Sequence, residues 1–303
     1  MIFSLTILGC SSAIPTQNRY PSAQVLHHHN NQFLIDCGEG TQMQMQRFSI
    51  KASHLNHIFI SHLHGDHYLG LMGLLSSFHL LGRKNDLHIY APPELEEIIN
   101  IQKAVANTVF SFNTIFHHLN NQNEGLLFEN EKISVYSIAL KHRIPTFGFV
   151  FREKQKESNI YKEAISAYNL SIDDIKDIKN GKEYYDKKGL LVPHNMLCKP
   201  SEKAKSYAYI SDTVYDESLV NKIENIDVLY HEATFGEDLR DIAREKFHST
   251  ALQAAQIALK AKVKTLIIGH FSARYKNEDV LLEEARQVFP NTYSAVEGKV
   301  FPV

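Results

Sequence analysis

The chain has 303 residues, of which 44% are hydrophobic, and it contains 17 Phe and 14 Tyr but no Trp. This length and composition are sufficient for one large domain with a sizeable core. The formal net charge of −2 excludes a generally basic nucleic-acid-binding protein. No apolar stretch is long enough to span a membrane, and the N-terminal segment lacks the basic start of a signal peptide.

The three cysteines, Cys10, Cys37 and Cys198, include no CxxC pair and cannot form an even disulfide framework. Unpaired cysteines of this kind are typical of proteins in a reducing compartment. We therefore expect a cytoplasmic protein.

The N-terminal part of the chain predicts a strand at 3–8 and a hairpin whose strands, 24–28 and 32–36, turn at Asn30-Asn31. The glycine-containing stretch 36–42 then opens a helix that runs to about Phe48. The carboxylate of Asp36 either orients a metal-binding histidine or caps this helix. The sequence leaves both interpretations open.

The motif Ser-His-Leu-His-Gly-Asp-His, residues 61–67, places four potential metal ligands directly after the apolar strand 58–60. A loop at the carboxyl end of a strand is where α/β proteins usually carry their chemistry. Imidazole nitrogens and a carboxylate oxygen suit Zn²⁺, and Gly65 permits the tight turn that lets them converge.

Strands and helices alternate through most of the remaining chain, which is typical of an α/β fold. The predicted helices are 69–81, 92–106, 251–261 and 278–289, and the predicted strands are 87–91, 133–140, 207–210, 226–230 and 263–268, with two short strands closing the chain. Each half has strands that end in His or Asp, which predicts two similar α/β halves that face one cleft.

Three later strands also end at a potential ligand, and these are His142, Asp212 and His270. Together with the early loop, the candidate set has more ligands than one zinc needs but enough for two. One ion would be held by His62, His64 and His142, and the other by Asp66, His67 and His270. If Asp212 is shared, each ion keeps an open position for a hydroxide between them, which suits displacement at phosphorus.

The composition changes at Arg152. From 152 to 205 there are twelve Lys or Arg against nine Asp or Glu, a local charge of +3, and only short helices are predicted. We interpret this segment as an inserted basic arm that contacts phosphates, although a solvated lysine-rich surface is the other interpretation of such a run.

The ligand motifs resemble those of the metallo-β-lactamase superfamily, and four further stretches are similar to ribonuclease Z, the family of tRNA 3′-processing endonucleases. These stretches are DCGEGTQ from Asp36, HEAT from His231, HST from His248 and HFSARY from His270. The similarity extends from Gly9 to Tyr275. The HxHxDH motif is shared by the whole superfamily, whereas its combination with the other stretches is specific.

The resemblance implies an α/β fold, a four-layer αβ/βα sandwich of metallo-β-lactamase type with one catalytic domain over 1–303 and an inserted flexible arm at 152–205. It implies a homodimer that binds precursor tRNA through the arm, without a membrane. Phosphate contacts are expected from Lys179, Lys182, Lys187 and Lys188, although the arm lacks the Gly-Pro motif that is usual in the family.

The implied reaction is hydrolysis of a tRNA precursor 3′ of the discriminator nucleotide, which gives a 3′-hydroxyl on the tRNA and a 5′-phosphate on the trailer. Two Zn²⁺ per subunit, or alternatively Mn²⁺ or another divalent ion, would supply the attacking hydroxide. Asp66 would bind metal and accept a proton, and His248 would be the general acid, oriented by Glu232. Arg274 would contact a substrate phosphate or form a structural salt bridge.

Two other classes of function are compatible with parts of this pattern. A small-molecule phosphodiesterase or an arylsulfatase-like metallohydrolase would use the same fold and ligands, because fold alone does not choose a substrate. A non-catalytic RNA-binding or zinc-storage protein would keep the ligands without turnover. The basic arm favours the nuclease over both.

Overall fold

The computed structural model of the protein describes residues 3–120, 124–156, 158–199 and 203–303. The chain divides into two compact units. The first consists of Met1–Phe128, Val135–Phe151 and Ser206–Val303, and the second of Glu129–Ser134 and Arg152–Lys205.

The described strands are β1 (Phe3–Gly9), β2 (Ala23–His28), β3 (Asn31–Cys37), β4 (Leu55–Phe59), β5 (Leu87–Ala91), β6 (Thr114–His118), β7 (Gly125–Glu129), β8 (Ile133–Leu140), β9 (Thr146–Glu153), β10 (Tyr184–Tyr185), β11 (Leu191–Val192), β12 (Ser206–Ile210), β13 (Val228–Glu232), β14 (Thr265–Gly269), β15 (Thr292–Ser294) and β16 (Val300–Pro302).

The described α-helices are α1 (Thr41–Arg47), α2 (Gly65–Tyr68), α3 (Leu71–Leu80), α4 (Glu94–Val105), α5 (Lys162–Tyr168), α6 (Ile172–Lys179), α7 (His194–Leu197), α8 (Leu219–Lys222), α9 (Arg240–Glu245), α10 (Ala251–Lys260) and α11 (Asp279–Val288).

The first unit contains two seven-stranded sheets. Their strand orders are β16-β1-β2-β3-β4-β5-β6 and β15-β14-β13-β12-β9-β8-β7. Pairing is antiparallel from β16 to β3 and parallel from β3 to β6, and it is also parallel from β12 to β15. Parallel neighbours bring the carboxyl ends of their strands to one edge of each sheet, and polar residues follow these ends.

Aromatic side chains fill the space between the two sheets. The ring of Phe33 on β3 lies 5.6 Å from that of Phe151 on β9, and Phe59 on β4 lies 5.3 Å from Phe149. All four rings are buried. Burial of such rings contributes a large share of the stabilisation of a sandwich core, since each removes a large apolar area from water.

Helices cover the outer faces of the sheets. On the first sheet, Met45 of α1, Leu75 of α3 and Leu95 of α4 join one apolar cluster with strand residues such as Ile58. On the second sheet, α10 and α11 contact β13, β14 and β15. Helix, sheet, sheet and helix make the four-layer αβ/βα sandwich that the sequence predicts, and this fold class is confirmed.

The second unit has a small apolar core of its own. Helices α5, α6 and α7 bury Ala164, Ile178 and Leu197, and the short hairpin of β10 and β11 adds Val192. A capping box in which Ser171 and Asp174 exchange hydrogen bonds begins α6. The expectation of short helices in this segment agrees with these elements.

Several element boundaries differ from the predicted ones. The helix expected at 69–81 is α3, which begins two residues later than predicted, and the short helix α2 precedes it at 65–68, where a loop was expected. The reason is tertiary, because the Gly70 amide donates to the Cys37 carbonyl at 2.9 Å and a Cβ at Gly70 would collide with the Gly38 carbonyl. Strands β7 and β9 were not predicted.

Among the described residues, no helix combines the length and the apolar character needed to cross a membrane.

Candidate metal centre

The structure brings together the seven ligands predicted from distant parts of the sequence, and they form two groups. In the first group, His64 Nδ1 lies 3.0 Å from His62 Nε2 and 3.2 Å from His142 Nε2. The Oδ2 atom of Asp212 lies 3.6 Å from His62 Nε2 and 3.7 Å from His142 Nε2. These four residues could hold one metal ion.

The second group uses the other oxygen of the same aspartate. Asp212 Oδ1 lies 3.2 Å from His270 Nε2 and 3.5 Å from His67 Nε2. Asp66 Oδ2 lies 3.3 Å from His270 Nε2 and 3.4 Å from His67 Nε2. Asp212 therefore lies between the two groups and offers one oxygen to each.

The separations between these atoms fit the donor set of a divalent metal. Four ligands at about 2.0–2.1 Å from a tetrahedral zinc lie about 3.3–3.4 Å from one another. The observed separations run from 3.0 Å to 3.7 Å. A hydrogen bond needs a donor in each pair of facing atoms, but several of these pairs consist of two acceptors when the imidazoles are neutral. The nitrogen and carboxylate atoms therefore suit binding of a divalent ion better than a hydrogen-bonded cluster.

Strand ends position the ligands. His62 and its loop follow β4, His142 follows β8, Asp212 follows β12, and His270 follows β14. The backbone of His270 is left-handed, with φ of 58°, which turns the chain sharply at the strand end. Residues that are up to 208 positions apart in the chain thus converge because both sheets present these ends to one cleft.

Asp36 is hydrogen-bonded to His67 of the second group, on the side of the ring away from the other ligands. Its Oδ2 atom accepts hydrogen bonds from His67 Nδ1 at 2.7 Å and from the Tyr209 hydroxyl at 2.6 Å. Its Oδ1 atom accepts from the Ser61 amide at 2.7 Å. Of the two roles left open by the sequence, the structure shows contact with a histidine of the metal loop, which fixes the ring with Nε2 facing the other ligands.

Two further contacts orient ligand histidines through their Nδ1 atoms. Thr234 Oγ1 lies 2.9 Å from His270 Nδ1, and the Phe247 carbonyl accepts from His142 Nδ1 at 2.8 Å. In both rings Nε2 is left to face the centre. Sequence reasoning missed these contacts, although Thr234 belongs to the HEAT stretch and Phe247 precedes the HST stretch.

The histidines of the two groups differ in the direction of their pKa shifts. Burial lowers the pKa of His62, His64 and His142, so that these rings are neutral and able to donate a lone pair. Burial also opposes a charge on His67, but Asp66 and Asp212 outweigh it and hold the pKa of His67 well above its ordinary value. A divalent cation would satisfy the same carboxylates.

His248, which is partly exposed, pairs with the fully buried Glu232 beside the ligands. His248 Nδ1 lies 2.9 Å from Glu232 Oε1, and the Thr213 amide and the Thr234 hydroxyl also donate to this carboxylate, at 2.8 Å and 2.6 Å. Burial alone would lower the pKa of His248, but the Glu232 carboxylate outweighs it and raises this pKa to about 9.

A cavity of about 550 Å³ opens over the ligands. His64, Asp66, His142, Asp212 and His248 contribute to its lining. Three basic side chains also line the cavity, namely Arg143, Lys246 and the predicted Arg274. Of the two interpretations of Arg274, a structural salt bridge is not seen, since its guanidinium pairs with no acid among the described residues. The predicted arm lysines, Lys179, Lys182, Lys187 and Lys188, belong to the second unit.

Comparison with solved structures places this fold and site in a class. The YhfI protein of Bacillus subtilis, described as a metallo-beta-lactamase fold protein, has a TM-score of 0.69 and 18% identity and covers 99% of both chains. The short form of human tRNase Z has a TM-score of 0.73 and 28% identity, again over 99% of both chains. The protein is a metallo-β-lactamase-fold protein with a polar centre suited to divalent metals.

Sequence relatives identify the family within this class. The ribonuclease Z of Bacteroides thetaiotaomicron is 46% identical over 296 residues, which are 98% of this chain and 94% of the relative. Residues 3–161 also match the family model described as Anti-Pycsar protein Apyc1. The chain belongs to the ribonuclease Z family, and the resemblance noted in its motifs is confirmed.

Proposed function

We propose that this protein is a zinc-dependent endoribonuclease that cleaves tRNA precursors 3′ of the discriminator nucleotide. The products would be a tRNA with a 3′-hydroxyl and a trailer with a 5′-phosphate. The observation that carries the proposal is the pair of ligand groups joined by Asp212 under an open cavity, in a chain 46% identical to a ribonuclease Z. The predicted enzyme class, a metal-dependent phosphodiester hydrolase, is that of the family.

Two Zn²⁺ fit the two ligand groups by donor type and by spacing, and Mn²⁺ or another divalent ion would accept the same donors. Two such ions would supply a water of lowered pKa and the positive charge that a displacement at phosphorus requires. The first would be held by His62, His64 and His142, the second by Asp66, His67 and His270, and Asp212 would serve both.

Three side chains would move or hold protons. Asp66 lies at the cavity and receives a hydrogen bond from the Ala13 amide at 2.6 Å, which leaves it ionised and able to accept a proton from the attacking water. His248 would donate a proton to the leaving oxygen. Because Glu232 engages Nδ1 of His248, Nε2 is the atom left to face the substrate.

Basic side chains around the cavity suit a polyanionic substrate. Arg274, Arg143 and Lys246 would contact the phosphates that flank the scissile one. Sequence reasoning selected only Arg274. Arg143 directly follows the candidate ligand His142, and Lys246 lies two residues before the candidate general acid His248, so proximity to predicted site residues was the signal available for both.

The second unit would be the tRNA-binding arm. Lys187 and Lys188 are exposed in the turn between β10 and β11, where the Asp186 amide donates to the Leu190 carbonyl at 2.9 Å. Neither forms an ion pair with another described residue, so both ammonium groups are available to phosphates. Lys182 is less available, because it pairs with Asp177 at 2.8 Å. Lys179, at the end of α6, completes the predicted set.

We also propose a homodimer. The solvent face of α1 and α3 carries exposed apolar side chains, with Met43 57% and Leu80 82% exposed, and Leu69, just before α3, is 59% exposed. Gly73 of α3 lies close to α1, since a Cβ at this position would be 3.4 Å from Gln42 Oε1. An exposed apolar face of this kind is a suitable surface for a second copy of the chain.

We further propose a cytoplasmic location for the protein. The three cysteines are free and buried, which agrees with a reducing compartment.

The test is cleavage of one precursor tRNA, with the product ends mapped to the nucleotide. Purified protein loaded with zinc, and separately with manganese, should give one cut and end groups as stated above. Failure to cut several precursors would reject the proposal. Hydrolysis of a small phosphodiester without any cut in precursor tRNA would instead support the small-molecule phosphodiesterase.

A further inference from the structure

Phe247 has an unusual backbone conformation for an aromatic residue. Its φ is 60°, in the left-handed region, directly after the C-cap of α9. The Phe247 amide donates to the Arg244 carbonyl at 3.2 Å, and the His248 amide donates to the Ala243 carbonyl at 2.8 Å. This is the Schellman arrangement, in which the left-handed position is usually glycine because a side chain there is strained.

The backbone of this turn has a clear role. The Phe247 carbonyl accepts from His142 Nδ1 at 2.8 Å, and the next residue, His248, is bonded to Glu232. A glycine at 247 would offer the same carbonyl and the same turn without strain. The backbone role therefore does not account for the phenyl ring.

The ring lies next to the cavity. It is 41% exposed, and its centroid is 6.5 Å from that of the His142 ring, at an interplanar angle of 90°. Its neighbours in sequence, Lys246 and His248, both line the cavity. Strained residues that persist in a fold concentrate at functional sites, and an exposed aromatic ring offers a flat surface for a nucleobase.

We propose that Phe247 is a substrate-positioning residue whose ring stacks on a nucleobase next to the scissile phosphate. The inference rests on the proposed ribonuclease function. Lys246 would hold the phosphate backbone while the stacked base fixes which phosphodiester lies over Asp212. Stacking of this kind accepts any base, because every base has a π face.

The competing explanation is that the ring only shields the end of α9 and the His142 hydrogen bond from water. A leucine would shield without stacking, whereas a tyrosine would retain the stack. Comparison of Phe247→Leu with Phe247→Tyr therefore separates the two explanations.

The experiment measures KM, kcat, bound metal and melting temperature for four variants. In Phe247→Gly, Phe247→Ala and Phe247→Leu, the KM for precursor tRNA should rise at least about fivefold, the low end of what one base–aromatic stack contributes. Phe247→Tyr should keep the KM of the wild type. The value of kcat and the metal content should not change, since the 247 carbonyl still supports His142.

The chain offers a matched control for the strain. Lys262 has φ of 52° at the end of α10, where its amide bonds the Leu259 carbonyl at 3.1 Å and the Val263 amide bonds the Ala258 carbonyl at 3.2 Å. At both positions the glycine variant should melt about 2–4 °C above the alanine variant, because glycine adopts this conformation without strain. Only the substitutions at 247 should change KM.

A substrate change completes the test. A precursor with an abasic nucleotide on one side of the scissile bond should raise KM for the wild type and should have no further effect on Phe247→Gly. A KM in Phe247→Leu equal to that of the wild type would overturn the inference. It would also be overturned if the abasic nucleotide and Phe247→Gly had additive effects on KM, whichever side of the scissile bond carries the abasic nucleotide. A wild-type protein that cuts no precursor would reject the proposed function itself, and the inference with it.

Discussion

At the scale of single residues, the buried carboxylates of Asp212 and Glu232 have different neighbours in the cleft. Asp212 gives one oxygen to each ligand group, with contacts of 3.2 Å to His270 and 3.6 Å to His62. Glu232 is fully buried and directs its charge at His248, which is not one of the seven ligands. Because their neighbours differ, we propose that one carboxylate serves metal binding and the other serves proton transfer.

Replacement of the shared ligand should remove the metals and the activity together. We expect Asp212→Ala to lose bound metal and to lower kcat/KM about 10³-fold or more, since charge stabilisation by bound metals contributes several kcal/mol. Metal content by plasma mass spectrometry and cleavage of one precursor tRNA check this. Asp86→Ala removes an exposed carboxylate outside the centre and should change neither quantity. Full metal content in Asp212→Ala would contradict a bridging role.

The pH dependence should report the His248–Glu232 pair. A general acid acts in its protonated form, so the rate falls as the pH rises through its pKa. Glu232 raises the pKa of His248 to about 9, against the effect of burial. Glu232→Gln removes that charge, and the alkaline limb of the kcat profile should move to lower pH. Glu217→Gln, at an exposed ion pair, is the control; an alkaline limb that stays in place would exclude His248 as the acid.

At the scale of secondary-structure elements, the parallel strands do most to assemble the site. The sequence predicted strands before His62, His142, Asp212 and His270, and each of these strands is present. Short apolar runs that end in a polar residue were sufficient to predict these strands. The break between α2 and α3 was not predictable, because it depends on contact of Gly70 with residues 37 and 38, which no local pattern contains.

The β10–β11 hairpin should contribute to tRNA binding. We expect Lys187→Ala with Lys188→Ala to raise KM several-fold and to reduce the slope of log affinity against log salt by about 1–2, because two phosphate contacts are lost. Binding titrations at several salt concentrations measure the slope. The control pair is Lys260→Ala with Lys262→Ala, whose ammonium groups pair with Glu217 and Glu224. Equal slopes in both double variants would argue against the arm contact.

The apolar face of α1 and α3 should decide the oligomeric state. Leu80→Glu places a charge on this face, and desolvation of that charge should shift a dimer to monomers. Light scattering after size-exclusion chromatography measures the mass. Val105→Glu alters an equally exposed apolar residue on α4 and should leave the mass unchanged. A monomeric wild type would show that this face is not a dimer interface.

At the scale of the whole molecule, the candidate ligands come from both sheets. Four of them come after strand β4 of the first sheet, namely His62, His64, Asp66 and His67. The other three come after strands of the second sheet, and these are His142, Asp212 and His270. The hydrogen bond from Tyr209 to Asp36 also joins the sheets, at 2.6 Å. A metal that binds both sets would stabilise the folded state, since the unfolded chain holds no preformed site.

Metal removal should therefore lower the melting temperature as well as the activity. Treatment with a chelator should reduce the melting temperature by several degrees, and added Zn²⁺ should restore it, as linkage requires for an ion that binds only the folded state. Differential scanning calorimetry of the chelated and reloaded protein checks this. The Asp212→Ala variant is the control, because it should show little response to either treatment.

The sequence by itself determined the α/β class, the candidate ligand residues and the family, because these depend on apolar periodicity and on short motifs that are local in the chain. Only the tertiary structure decided how the ligands divide and what orients them. One Asp212 oxygen lies at each group, Asp36 is hydrogen-bonded to both His67 and Tyr209, and the Phe247 carbonyl accepts from His142. Each of these contacts joins residues that are far apart in sequence. Such contacts follow from the packing of two sheets, and packing is not encoded in any single stretch.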